Sequence, residues 1–218
     1  MKLEAFSIGK PKEIQYAPDK KVVTGICKET VQEAFLTVDG FHGDGVADVR
    51  HHGGLDRAVC VYPYEHYALW KREFGSPLAQ STFGENFTVS NMLERDIHIG
   101  DIFQVGEAVI QVTQSRIPCS TITKRTGLPL LLKRMIETGY TGYLCRVLEE
   151  GMVRSDSEIT LLKTDLARVS VLFTNEIYFH QANNHSAVKK ILEVDALAVK
   201  WREGLEKRAG FSLEKEGK

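Results

Sequence analysis

Up to about Lys163, apolar positions recur in short runs, several strictly alternating, and most runs close on a glycine turn. Leu3, Ala5, Phe6 and Ile8 open one candidate strand, and Val22, Val23 and Ile26 mark a second. Ala34, Leu36 and Val38 alternate into Asp39-Gly40, a turn signal. Ile97-His98-Ile99-Gly100-Asp101 leads to Ile102-Phe103-Gln104-Val105-Gly106, and Ala108, Ile110 and Val112 follow, a hairpin feeding a buried strand. Tyr143-Leu144-Cys145-Arg146-Val147-Leu148 predicts a strand that turns at Glu149-Glu150-Gly151, and Ile159, Leu161 and Leu162 predict a closing one. Many short strands at this spacing favour a barrel or sandwich.

Two helices interrupt the strands. Pro63 suits the first turn of one, since its missing N–H costs nothing there. Tyr64, Tyr67, Trp70 and Phe74 then follow at three- and four-residue spacing, and Gly75 stops it. The second runs from about Pro129 to Thr138, before Gly139. From Thr164 onward the period becomes helical. Val169, Leu172, Phe173 and Ile177 form one inward stripe, and Val188, Ile191 and Leu192 another. Asp195 suits the N-cap of a helix that places Leu197, Trp201 and Leu205 on one face. Helices this short are unstable alone in water, so they should pack on each other, on the β part or on a partner. The end, Glu214-Lys215-Glu216-Gly217-Lys218, should fray.

The composition, 43% hydrophobic and 26% charged over 218 residues, is that of a globular chain with one sizeable core. Twenty-eight basic residues against 29 acidic ones give a net charge of −1, which predicts neither a nucleic-acid nor an anionic-membrane partner. No apolar run is long enough to span a membrane, and the alternating first ten residues lack the apolar block of a signal peptide; a cytoplasmic protein is expected. Cys27, Cys60, Cys119 and Cys145 lie far apart, which argues against a disulfide scaffold and a cysteine-rich zinc site.

Three clusters carry candidate chemistry. Asp48-Val49-Arg50-His51-His52-Gly53-Gly54-Leu55-Asp56-Arg57 combines glycines that allow close backbone approach to a ligand with arginines suited to a phosphate. The same residues also fit a glycine turn with solvated charges. Gly84-Glu85-Asn86 offers a carboxylate and an amide at a turn beside a pocket, although spacing alone favours an ordinary turn into Phe87-Thr88-Val89. Gln114-Ser115-Arg116-Ile117-Pro118-Cys119 follows directly on a strand, where functional side chains often sit. Arg116, Lys124 and Arg125 would favour a Cys119 thiolate, which can act as nucleophile or soft-metal ligand. A buried, inert thiol is the alternative there, whereas Cys60 and Cys145 lie in apolar strand sequence and Cys27 also looks structural.

These clusters, in this order, resemble the MOSC family, named for the C-terminal domain of molybdenum-cofactor sulfurase. The resemblance is closest to its YiiM-like bacterial branch, linked to detoxification of 6-N-hydroxylaminopurine. Ile99-Gly100-Asp101, Tyr140-Thr141-Gly142-Tyr143 and Trp201-Arg202-Glu203 extend the match over nearly the whole chain. One departure is Leu55, where the branch often has proline.

The resemblance implies a mainly β fold with α elements: a barrel-like MOSC domain, similar to the pyruvate-kinase β-barrel, over residues 1–163, and a small three-helix extension over residues 164–218. It implies a molybdenum cofactor (Mo-molybdopterin), with Cys119 as metal ligand or sulfur carrier. The candidate cofactor contacts are Arg50, Gly53, Gly54, Asp56, Arg57, Glu85, Asn86, Gln114 and Arg116. His51 and His52 join Cys119 as catalytic candidates, because histidine moves protons near neutral pH. The activity expected is an oxidoreductase that reduces N-hydroxylated compounds, such as N-hydroxylated purines, to amines. No flavin, haem or Fe–S motif is visible, so electrons should come from a separate reductase. A sulfur carrier with a Cys119 persulfide and a non-catalytic cofactor-binding or storage protein are the alternatives. The helical extension would shape substrate access, dock the redox partner or support a homodimer.

Overall fold

The computed structural model describes residues 1–210. The expected frayed end lies outside them. The chain runs β1 (Lys2–Ile8), β2 (Lys12–Ala17), β3 (Lys20–Thr24), β4 (Glu29–Thr30), β5 (Glu33–Thr37), β6 (Gly40–Phe41), α1 (Val49–His52), β7 (Val59–Pro63), α2 (Glu65–Phe74) and β8 (Phe87–Ser90). It continues with β9 (Ile102–Val105), β10 (Ala108–Ser115), α3 (Ser120–Thr126), α4 (Leu131–Thr138), β11 (Tyr143–Glu149), β12 (Gly151–Arg154), β13 (Ile159–Lys163), α5 (Val171–His180), α6 (His185–Leu192) and α7 (Val199–Arg208). A 3-10 turn, Leu55–Arg57, follows α1.

An eight-stranded mixed sheet, ordered β13-β9-β10-β11-β7-β8-β1-β4, forms the barrel-like body. Its β7–β8 pair is parallel, and the remaining ladders are antiparallel. The alternation that marks the strands is the alternation that buries them: along β9, Phe103 and Val105 face the core while Gln104 is exposed. Strand β10 is buried nearly throughout, being flanked by β9 and β11 and covered by the extension.

Three local expectations differ from the structure. Pro63 ends β7 rather than opening α2, because parallel pairing with Val89 holds the strand to that point and the next N–H, of Tyr64, bonds the Val89 carbonyl at 2.7 Å. Asp195 does not cap the last helix. The chain first turns through Ala198, whose N–H bonds the Thr113 carbonyl at 3.0 Å, and α7 starts beyond this tether. The turn expected at Gly151 instead opens β12, which pairs with β5.

Two apolar cores result. The larger joins the sheet to the extension. It contains the Phe6, Phe41 and Phe87 rings at 4.8–5.5 Å and continues through Val171, Ile177, Ile191, Trp201 and Leu205. Leu172, Phe173 and Leu192 from the expected inward stripes are only half-buried. The smaller core gathers Tyr62, Tyr67, Trp70 and Phe83 with Ile122 of α3 and Leu131 and Met135 of α4. Ile122 has no exposed surface, so α3 is anchored by a side chain whose burial contributes about 1.5–3 kcal/mol. No helix among the described residues is long and apolar enough to cross a membrane.

Candidate active site

The site is built where three segments meet: the loop around α1, the end of β10 and the start of α3. Asp48 caps α1, accepting from the N–H groups of Arg50 and His51. It also pairs with His51 Nδ1 at 2.7 Å, and this contact holds the Asp48 carboxyl below its ordinary pKa. Gly53 ends the turn so close to Val49 that a Cβ there would lie 2.8 Å from the Val49 carbonyl oxygen. The loop thereby brings His52 close enough to Cys119 to lower the pKa of its thiol.

A register shift between Val112 and Gln114 re-aims the end of β10. Gln114 is buried and accepts from Arg57 Nε at 3.2 Å, while Arg57 Nη1 also donates to the His51 carbonyl. Arg57 thus fastens the α1 loop to β10. Arg116 leaves the strand with its N–H on the Gly142 carbonyl at 3.1 Å and its Nη2 on the Phe83 carbonyl. Its Nη1 is buried and finds no hydrogen-bond partner among the described residues.

Cys119 immediately precedes α3 in an extended conformation, with φ −122° and ψ 165°. Burial alone would raise its thiol pKa. His52, the Thr121 hydroxyl and backbone N–H, and the Arg116 charge outweigh burial and lower the value from 9.0 to about 6. The thiol is therefore mostly thiolate at neutral pH. Cys145 is fully buried and its thiol is pushed up by burial; Cys60 is pushed the same way, with Arg116 opposing. All four cysteines are free.

The remaining sequence candidates are placed as follows. Arg50 is exposed, and its carbonyl accepts from Lys200 Nζ at 2.6 Å. Gly54 has φ +115° with open space where a Cβ would point. Asp56 turns to Arg146, with Oδ1 to Nη2 at 2.7 Å, and to the Val199 N–H, so it ties the loop to the extension. Glu85 is fully enclosed and accepts from the Tyr67 hydroxyl, the Phe83 N–H and the Thr88 hydroxyl. Asn86 bridges the Cys60 N–H, the Ser7 carbonyl and Asp44. Glu85 and Asn86 thus order the framework beneath Arg116. The structure adds residues that the sequence reading missed. Lys28 and Asp44 form a buried ion pair, their side chains 5% and 12% exposed, close enough to Cys60 to act on its thiol. Thr121 supports the thiol, and Asp48, which opens the first sequence cluster, supports the loop as the cap of α1. Among the described residues, no three His, Cys, Asp or Glu side chains gather as a metal-ligating group, at this site or away from it.

A barrel-like β body with three helices packed on it is the architecture of a MOSC protein with a YiiM-type extension. The chain belongs to the MOSC domain family, in its YiiM-like branch: the MOSC domain matches residues 48–160, and the YiiM-like 3-alpha helix domain matches residues 169–208. Uncharacterized protein YflK of Bacillus subtilis (strain 168) is 42% identical over 214 residues, covering 95% of this chain and 96% of that one. Protein YiiM of Escherichia coli (strain K12) is 33% identical over 210 residues, 95% of this chain and 88% of that one. The crystal structure of YiiM from Geobacillus stearothermophilus superposes with a TM-score of 0.81 at 33% identity, covering 95% and 98% of the two chains.

Proposed function

We propose that the protein binds a molybdenum cofactor through Cys119 and reduces N-hydroxylated compounds, N-hydroxylated purines among them, to amines. The observation that carries this reading is the setting of the Cys119 thiol beside His52, Thr121 and Arg116, which lower its pKa to about 6. Family membership supports the cofactor, and the residues present suit it. A thiolate is the soft ligand that molybdenum takes. The buried, unpartnered Arg116 Nη1 is a donor awaiting an acceptor, as the pterin phosphate would supply. Cys119 would hold the metal; Arg116, with Arg50 at the loop, would hold the phosphate.

The bound cofactor supplies the two-electron chemistry of R–NH–OH + 2 e⁻ + 2 H⁺ → R–NH₂ + H₂O. The chain's own residues orient and protonate. His52 keeps a proton beside the Cys119 sulfur. His51, set by Asp48 on its Nδ1, exchanges protons with solvent through Nε2. Electrons come from a separate donor protein.

The test is to express the chain in a host that makes the cofactor and compare wild type with Cys119→Ser. Molybdenum content is measured together with turnover of 6-N-hydroxylaminopurine using an artificial electron donor. Wild type should carry molybdenum and form the amine, and Cys119→Ser should do neither. Full metal content and turnover in Cys119→Ser would defeat the reading. Metal-free protein with a persulfide on Cys119 would instead mark a sulfur carrier, and bound molybdenum without turnover a storage protein.

A further inference from the structure

We propose that Asn175, on α5 of the helical extension, is a positioning residue for the site: its carboxamide locks the end of β10, from which Arg116 and Cys119 follow, against the 139–142 turn. The inference rests on reading Cys119 and Arg116 as the working residues. Asn175 has no exposed surface. Its Oδ1 accepts from the Ser115 hydroxyl, and its Nδ2 donates to the Gly139 carbonyl at 2.6 Å and to Thr141 Oγ1 at 3.0 Å. Ser115 Oγ and Thr141 Oγ1 are themselves 3.2 Å apart. One residue further, the Arg116 N–H bonds the Gly142 carbonyl. A single side chain from the extension thus joins both strands of backbone that define where Arg116 begins.

The close approach is built in on the other side as well. Gly139 has φ +73°, and a Cβ there would lie 2.7 Å from Leu172 Cδ1 and 3.3 Å from Asn175 Cβ, so α5 is seated directly on the turn. A buried amide is costly unless its donors and acceptor are matched, and here both N–H groups and the oxygen are used. An apolar side chain of similar volume would fill the space without that demand. What the amide adds is direction: it fixes which way the Ser115 and Thr141 hydroxyls face and so the backbone that carries them. The large apolar residues of the extension supply adhesion, and Asn175 supplies register.

The test uses the full-length, metal-free chain, so that its outcome is independent of cofactor loading. Two quantities are read: the rate of peptide-resolved iodoacetamide alkylation of Cys119 at neutral pH, and amide exchange over residues 115–122. Wild type, Asn175→Ala and Ile191→Ala are compared. Ile191 is equally buried in the same extension but has no polar side-chain atom, so it controls for lost stability. Asn175→Ala should slow alkylation by about two- to thirtyfold, the range of indirect couplings of this kind, and speed exchange over residues 115–122. Ile191→Ala should lower the melting temperature while leaving both local readouts near wild type. A wild-type alkylation rate in Asn175→Ala, or an equal change in Ile191→Ala, overturns the proposal. If Asn175→Ala does not fold, Ser115→Ala removes the same contact from the barrel side, and wild-type behaviour there overturns it equally. Loss of molybdenum from Cys119→Ser is a separate measurement, so failure of the functional reading is told apart from failure of this one.

Discussion

The His52 side chain lies close enough to the Cys119 thiol to lower its pKa, linking the four-residue helix α1 to the start of α3. Neither segment has a regular partner in the sheet, so the site's chemistry depends on a contact between two loops that the barrel holds in place.

The pH dependence of that thiol follows in sign. Burial raises its pKa, but His52, Thr121 and Arg116 bring the net value from 9.0 down to about 6, so folding favours the thiolate. The stability this contributes is present in full above the unfolded value near 9 and is lost as pH falls through about 6. Alkylation of Cys119 in the metal-free protein should rise with pH with an inflection near 6, and His52→Ala should move the inflection upward. An inflection that stays near 6 in His52→Ala would show that the contact does not tune the thiol.

Glu85 should matter for stability as an acceptor shared by three donors in the wall beneath Arg116. Glu85→Ala leaves the Tyr67 and Thr88 hydroxyls and the Phe83 N–H without it. Loss of about 3 kcal/mol or more is expected in urea unfolding, since each stranded buried group costs about 1–3 kcal/mol. A change below about 1 kcal/mol would mean the network re-forms with water.

Two glycines should respond differently to alanine. At Gly142, φ is +75° and a Cβ would meet the Val61 carbonyl oxygen at 2.4 Å, on the turn that accepts from Arg116. At Gly54, φ is +115° but the space is open. Gly54→Ala should cost about 1–3 kcal/mol of local backbone strain, a fall of a few degrees in melting temperature. Gly142→Ala should lower the melting temperature more, because backbone must move as well. Equal melting temperatures for the two variants would contradict this ordering.

The continuity of the larger core across residue 163 bears on how the chain unfolds. Val171, Ile177, Ile191, Trp201 and Leu205 pack in the same cluster as Leu3, Val59 and Val112. The Ala198 N–H on the Thr113 carbonyl, the Ala196 carbonyl on Arg146 and the Val199 N–H on Asp56 add polar ties between the two parts. Calorimetry should therefore show one cooperative transition for the whole chain. Two resolved transitions would show that the extension folds as a separate unit.

Much of the architecture was readable from the chain alone. Alternation in β9, the glycines that end α2 and α4, and the helical spacing of the buried Val169, Ile177, Ile191, Trp201 and Leu205 are local signals, and they survive into the fold because they are the pattern of burial and turning itself. What tertiary structure decided is of another kind. Helix α3 is too short to show a period, and Ile122 fixes it by contact with residues far away in sequence. The start of α7 is set by a hydrogen bond to Thr113 and not by Asp195. Asp56 and Arg57 are neighbours in one motif, yet one turns to Arg146 and the other to Gln114. Lys28 finds Asp44, and Asn175 finds Ser115, by the same logic. A polar side chain's partner is chosen by which groups the packed backbone brings within about 3 Å once water has been excluded, and that distance is a property of the whole fold, not of any stretch of sequence.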